Sequence, residues 1–155
     1  MNYFIPGYNL RRGSPVDRSL LVKFMQRTYQ EMLPHQDFSH LARTVDQYLS
    51  PDTPLWWVDS ETSPTTTPIA CLWVGNAIDQ VTGIRHPHIF LLYVAPEHRR
   101  KGIGTGLMHY LEDWAKQRGD RQIGLQVFAS NTPALNLYHQ LGYRTESLWM
   151  LKSLD

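Results

Sequence analysis

The stretch VAPEHRRKGIGTGL, residues 94–107, constrains this chain more than any other, because it sets Gly102, Gly104 and Gly106 between an apolar strand pattern and an amphipathic helix pattern. Glycine lets a backbone come close to a ligand. The N–H groups of a helix's first turn lack intrahelical partners and point outward with the positive end of the dipole. A pyrophosphate suits such a junction, and Arg99, Arg100 and Lys101 add local positive charge. Each helix-end interaction is worth about 0.3–2 kcal/mol, so several amides must act together to hold a nucleotide-like cofactor. A P-loop would need Gly-Lys followed by Ser or Thr, whereas this helix opens Gly-Thr-Gly-Leu. A dinucleotide fingerprint would need glycine where Leu107 stands and an acid ending the next strand, where the chain has Phe128-Ala129.

The surrounding pattern alternates strands and helices. Residues 8–12 read as a first strand, followed by a helix with Ser14 as cap and Pro15 at its first position, running to about Pro34. A second helix is expected after Ser39, with Leu41, Val45 and Leu49 on one face, ending before Pro51. Strands over 55–59, 68–76 and 88–94 form an antiparallel meander, with the polar stretch 60–68 as a surface loop. The glycine-rich helix shares Ile103, Leu107, Leu111, Trp114 and Ala115 on one face and ends near Gly119. A strand over 123–128, a short helix over 133–141 stopped by Gly142, and a closing strand pair over 143–151 complete the expectation.

A chain of 155 residues has the size of one domain, so residues 1–155 are read as a single unit. A net charge of +1 gives no global field toward nucleic acid or an anionic membrane, and no segment has the length and apolarity of a membrane span. The N-terminal residues lack the apolar run of a signal peptide, and Cys71, alone in the sequence, sits in an apolar run as a buried hydrophobe. A soluble, cytoplasmic protein is expected.

With these residues in place, the chain resembles the GCN5-related N-acetyltransferase (GNAT) superfamily. Arg99, Gly102 and Gly104 match the family's cofactor motif: Gln or Arg, two residues, Gly, one residue, Gly or Ala. Asn131, Ala134, Tyr138 and the run Leu141-Gly142-Tyr143 match its second signature, in the right order and at the right distance. The resemblance implies an α/β fold with a mixed, mostly antiparallel central sheet of about six to seven strands, flanked by about four helices, with one strand pair splayed to admit the cofactor. It implies an acyltransferase that moves the acetyl group of acetyl-coenzyme A to an amine by direct attack through a tetrahedral intermediate. The amides of Arg100, Lys101, Gly102, Ile103, Gly104 and Thr105 would wrap the pyrophosphate, with Arg99 beside them. Backbone groups of Leu92, Tyr93 and Val94 would pair with the pantetheine arm, Asn131 would hydrogen-bond the arm, and Tyr138 would lie beside the sulfur as donor to the departing thiolate.

A base should help to remove the amine's proton, since an alkyl ammonium has a pKa of about 10.4. Where histone-acetylating relatives place a glutamate on the fourth strand this chain has His88, and where N-terminal acetylating relatives place one on the fifth strand it has Gln126. His88 is the candidate base. His86 and His88 have no acid or cysteine cluster beside them, so no metal is expected. By resemblance the acceptor enters between residues 31–38 and 145–149, where Glu31, Asp37 and Glu146 could attract a cation and Tyr29 and Trp149 could pack on it. A small molecule or a peptide amine remains open, with the missing fifth-strand glutamate tilting toward small molecules. The rival functions are a sensor that binds acyl-coenzyme A without turnover and a peptide acetyltransferase. An exposed sheet edge at the C-terminal strands could support a homodimer.

Overall fold

A computed structural model describes residues 4–62 and 67–155, so residues 63–66 of the expected polar loop lie outside the described residues. The chain divides into two compact units, residues 1–125 and 126–155. Among the described residues, the first unit contains one sheet of five strands in the order β1-β2-β3-β4-β5. These are β1 (Tyr8–Arg12), β2 (Leu55–Ser60), β3 (Ala70–Ile78), β4 (Arg85–Val94) and β5 (Gly124–Leu125). The first four pair antiparallel and β5 joins β4 in parallel. Helices α1 (Arg18–Met32), α2 (Leu41–Tyr48) and α3 (Ile103–Arg118) belong to this unit, and α4 (Thr132–Gln140) to the second. The mixed, mostly antiparallel sheet and four helices agree with the expected architecture.

The start of α1 follows from its cap. Ser14 and Asp17 form a capping box, and Pro15 begins a single 3-10 turn that leads into the helix. Asp17 also accepts the indole N–H of buried Trp57 at 3.1 Å, which ties the helix start to the sheet. One sheet face then packs on α1 and α2 through Leu21, Phe24, Val45, Trp57, Cys71, Trp73, Leu91 and Tyr93. Phe24 sits edge-on between Trp57 at 5.3 Å and Tyr93 at 5.5 Å. Full burial of such a side chain is worth about 1.5–3 kcal/mol. On the other face, Trp56 meets Tyr110 and Trp114 of α3. Helix α3 buries Ile103, Leu107, Met108, Leu111 and Ala115, and stops at Gly119 with φ +89°.

The β3–β4 register shifts between Trp73 and Val74, so that Trp73 opposes Leu91 and Val74 opposes Ile89. Phe90 is the residue left over, a β-bulge that no period-2 reading of the sequence reveals. Its ring lies where a side chain on Gly75 would be, since a Cβ there would stand 2.2 Å from Phe90 Cζ. The parallel β4–β5 ladder ends at Ile89↔Leu125, beside the bulge.

Two expectations are corrected. The fifth strand occupies 124–125 rather than 123–128: its ladder with β4 stops at Ile89, next to the bulged Phe90, where the regular run of ladder partners along β4 is interrupted. The expected closing pair over 143–151 carries no ladder, which leaves five strands among the described residues instead of six to seven. An apolar run shows a tendency to extend, but a strand exists only where a partner supplies hydrogen bonds. Leu148, Trp149, Met150 and Leu151 are exposed.

Replacing Gly75 with Ala should lower the free energy of unfolding by about 1–3 kcal/mol through overpacking against Phe90, although Ala is otherwise the better strand residue. Urea unfolding of the variant checks this; a stability equal to or above wild type would contradict the packing.

Candidate active site

Strand β4 ends at Val94, and Pro96–His98 form a 3-10 turn before the chain reverses into α3. Two left-handed residues make the reversal: Arg100 with φ +62° and Gly102 with φ +82°. Glycine adopts this conformation freely, whereas for arginine it costs about 1–2 kcal/mol. The first intrahelical bond runs from the Gly106 N–H to the Gly102 carbonyl at 2.9 Å. The amides of Ile103, Gly104 and Thr105 therefore have no intrahelical partner and carry the positive end of the α3 dipole. The Ile103 side chain is buried and holds this first turn against the core. Arg100 and Lys101 are exposed.

Arg99, expected beside the cofactor phosphates, directs its side chain elsewhere. Its Nε donates to the Val94 carbonyl at 2.8 Å, and one terminal nitrogen donates to both Glu31 carboxylate oxygens at 2.9 and 2.7 Å. Its guanidinium also lies over the Tyr93 ring.

The edge of β4 that faces away from β3 can be read from hydrogen-bond alternation. Ala95 donates to the Ile69 carbonyl at 2.8 Å and Cys71 opposes Tyr93, so the main-chain groups of residues 91, 93 and 95 turn toward β3. Those of Leu92 and Val94 turn to the other edge, beyond the end of the β5 ladder. With the Val94 carbonyl taken by Arg99, the Leu92 N–H and C=O and the Val94 N–H face that edge. Tyr93 differs from the expectation in that its main chain serves β3 and its hydroxyl donates to Glu31 at 3.0 Å. Burial, then Glu31, pushes that phenol up to about 12.

The bulge also decides where His88 points. Trp73, Leu91 and Tyr93 share the α1–α2 face, and Gly75, two residues after Trp73, opposes His88. His88 is thereby on the face of Tyr93, whereas simple alternation along β4 would have put it on the α3 face. Its ring meets Phe90 edge-on at 6.0 Å. Burial, followed by the neighbouring His86, holds its pKa below the ordinary histidine value. His86 is buried, with Nδ1 2.9 Å from the Pro87 carbonyl. A carbonyl only accepts, so Nδ1 carries the proton. Both rings crowd Gly124, where a Cβ would stand 2.9 Å from His86 Cε1 and 3.5 Å from His88 Nδ1. Among the described residues there is no group of three or more His, Cys, Asp or Glu placed to hold a metal ion. Cys71 is fully buried and its thiol is pushed far up by desolvation, which leaves it inert as a nucleophile.

The acids expected at the acceptor entrance are engaged. Glu31 binds Arg99 and Tyr93, and Asp37 accepts the Ser39 N–H at 2.9 Å and its hydroxyl at 3.1 Å. Those bonds to Ser39 hold the Asp37 carboxyl below its usual range. Tyr29 packs on Phe38. On the second unit, Glu146 lies 3.5 Å from Arg144, and Trp149 is exposed. There too, Asn131 caps α4 by accepting the Ala134 N–H at 3.3 Å, and Tyr138 is buried with its ring edge-on to Tyr143 at 5.8 Å. Burial raises the Tyr138 phenol to about 12.

A family model described as the Acetyltransferase (GNAT) family matches residues 21–143, most of the chain and parts of both units. The chain belongs to this family. Among its relatives is the streptothricin acetyltransferase of Streptomyces lavendulae, 44% identical over 50 residues, 32% of this chain and 26% of that protein. The ribosomal protein bS18 alanine N-acetyltransferase of Escherichia coli (strain K12) is 35% identical over 72 residues, 46% of this chain and 48% of that enzyme. The alignments thus span about a quarter and about half of these relatives. A predicted acetyltransferase from Clostridium acetobutylicum, solved with acetyl-CoA, shares the GNAT fold with a TM-score of 0.75 at 22% identity, over 95% of this chain and 96% of that one. No helix among the described residues is long and apolar enough to cross a membrane.

Two substitutions at the junction should act oppositely on stability. Gly102→Ala forces a Cβ into the left-handed region and should cost about 1–2 kcal/mol, whereas Arg100→Gly should leave stability unchanged or raise it. Urea midpoints check both, and equal effects would contradict the two left-handed conformations.

Proposed function

We propose that the protein is an N-acetyltransferase that takes its acetyl group from acetyl-CoA and transfers it to a primary amine, with a small molecule favoured as acceptor. The observation that carries this reading is the β4–α3 junction, where the outward amides of Ile103, Gly104 and Thr105 follow a left-handed Gly102. That donor set suits a diphosphate, with exposed Arg100 and Lys101 adding charge. The open β4 edge offers the Leu92 N–H and C=O and the Val94 N–H, which fits the alternating amides of a pantetheine arm. Asn131 is assigned to the same arm by the family's motif alone.

When bound, acetyl-CoA supplies a thioester that a neutral amine attacks, through a tetrahedral intermediate, to release coenzyme A as a thiolate. Tyr138 is assigned to the departing sulfur. With its pKa near 12 it keeps its proton throughout the physiological range. Full transfer to a thiolate of conjugate pKa about 8.5 is uphill by about 5 kcal/mol, so the hydroxyl acts as a hydrogen-bond donor to developing charge. His88 is assigned as base, directly or through a water. Its depressed pKa keeps the ring neutral and able to accept a proton at pH 7. Support for a small acceptor comes from Gln126, which by the family resemblance takes the place of the glutamate of N-terminal acetylating enzymes, and from the similarity to streptothricin acetyltransferase.

Free thiol measured with acetyl-CoA and a panel of polyamines, aminoglycosides, amino acids and peptides tests the reading. Amine-dependent thiol release is expected, strongest with a small amine; coenzyme A binding without release from any amine would make the protein a sensor. Tyr138→Phe should reduce kcat by about 10²-fold and leave the KM for acetyl-CoA nearly unchanged, and wild-type turnover would remove Tyr138 from the chemistry. In the pH profile of kcat/KM, activity should fall as pH drops through the His88 pKa, below the usual histidine range. That limb should vanish in His88→Gln, and an unchanged limb would exclude His88 as base.

A further inference from the structure

Glu31 occupies the last turn of α1, where the helix dipole is negative and a carboxylate is disfavoured. Its position calls for a cation, and Arg99 supplies one from the junction between β4 and α3. The contacts form a closed set: Arg99 Nε on the Val94 carbonyl, one Arg99 terminal nitrogen on both Glu31 oxygens, and the Tyr93 hydroxyl on Glu31. The guanidinium thereby makes three hydrogen bonds, and the ring of Tyr93 covers one face. The Arg99 side chain is 43% exposed and that of Glu31 36%, so an isolated pair would contribute little. A network with both carboxylate oxygens engaged and a carbonyl shared is the kind that does contribute.

Resting on the cofactor reading above, we infer that Glu31 is a positioning residue for the cofactor junction: it holds Arg99 as a latch on the end of β4, and Arg99 serves the cofactor by fixing backbone instead of by binding phosphate. The latch acts in two places. It removes the Val94 carbonyl from the open edge, so that an arm lying there meets the Leu92 N–H and C=O and the Val94 N–H only. It also fixes the residue preceding Arg100, the strained entry into the glycine turn, and hence the aim of the amides that follow.

Hydrogen exchange on the ligand-free protein tests the latch independently of any cofactor. In Glu31→Gln and in Arg99→Lys, the hydrogen-bonded amides of His98, Arg99 and Gly106 should exchange several-fold faster than in wild type, with α2 unchanged. Unaltered exchange at these amides would overturn the proposal. A double-mutant cycle on coenzyme A affinity supplies the second readout. Glu31→Gln and Arg99→Gln should each weaken binding by about three- to tenfold, and the double variant should bind no worse than the weaker single one. Additive losses, or a loss confined to Arg99→Gln, would mean that Arg99 contacts the ligand itself and would also overturn it. If the wild-type protein binds no coenzyme A, the acetyltransferase reading fails, and the exchange data still decide whether Glu31 holds the junction.

Discussion

A helix leaves its first amides without intrahelical partners, and the geometry of the chain that leads into it decides where they point. In this chain the decision falls to residues 99–102. Gly102 takes a left-handed conformation at no steric cost, Arg100 takes one at some cost, and buried Ile103 holds the first turn of α3 against the sheet. The amides of residues 103–105 are aimed outward as a result. A glycine without a positive φ, or a helix begun one residue later, would turn them elsewhere.

The second constraint lies upstream, in the extra residue at Phe90. The parallel ladder with β5 ends beside this bulge, the main-chain groups of Leu92 and Val94 turn away from β3 beyond it, and the extra residue moves His88 onto the face of Tyr93. Gly75 makes this possible by having no side chain where the Phe90 ring lies. The edge chemistry, the orientation of a candidate base and a glycine on the neighbouring strand therefore meet at one bulge.

Much of this was legible in the sequence. The Ser14-Pro15 start of α1, the meander of β2 to β4 and the glycine entry into α3 rest on local chemistry, in which the residues that act are neighbours along the chain. What escaped depends on distant partners. The bulge requires the β3 register, and an alternating pattern hides it. Glu31 and Arg99 are far apart in sequence, so nothing along the chain shows that the Arg99 side chain is tied to α1. The sole hint was a glutamate at the unfavourable end of a helix pattern. Residues 143–151 were read as a closing strand pair, and a local pattern names no partner for a ladder.

The most direct measurement is amide chemical-shift mapping of the protein titrated with coenzyme A and, separately, with pantetheine, which has the arm and no diphosphate. Coenzyme A should shift the amides of Ile103, Gly104 and Thr105 together with those of Leu92 and Val94, and pantetheine should bind more weakly and shift the β4 amides alone. Shifts with coenzyme A that spare residues 103–105, or identical maps from the two ligands, would contradict a diphosphate held by the first turn of α3.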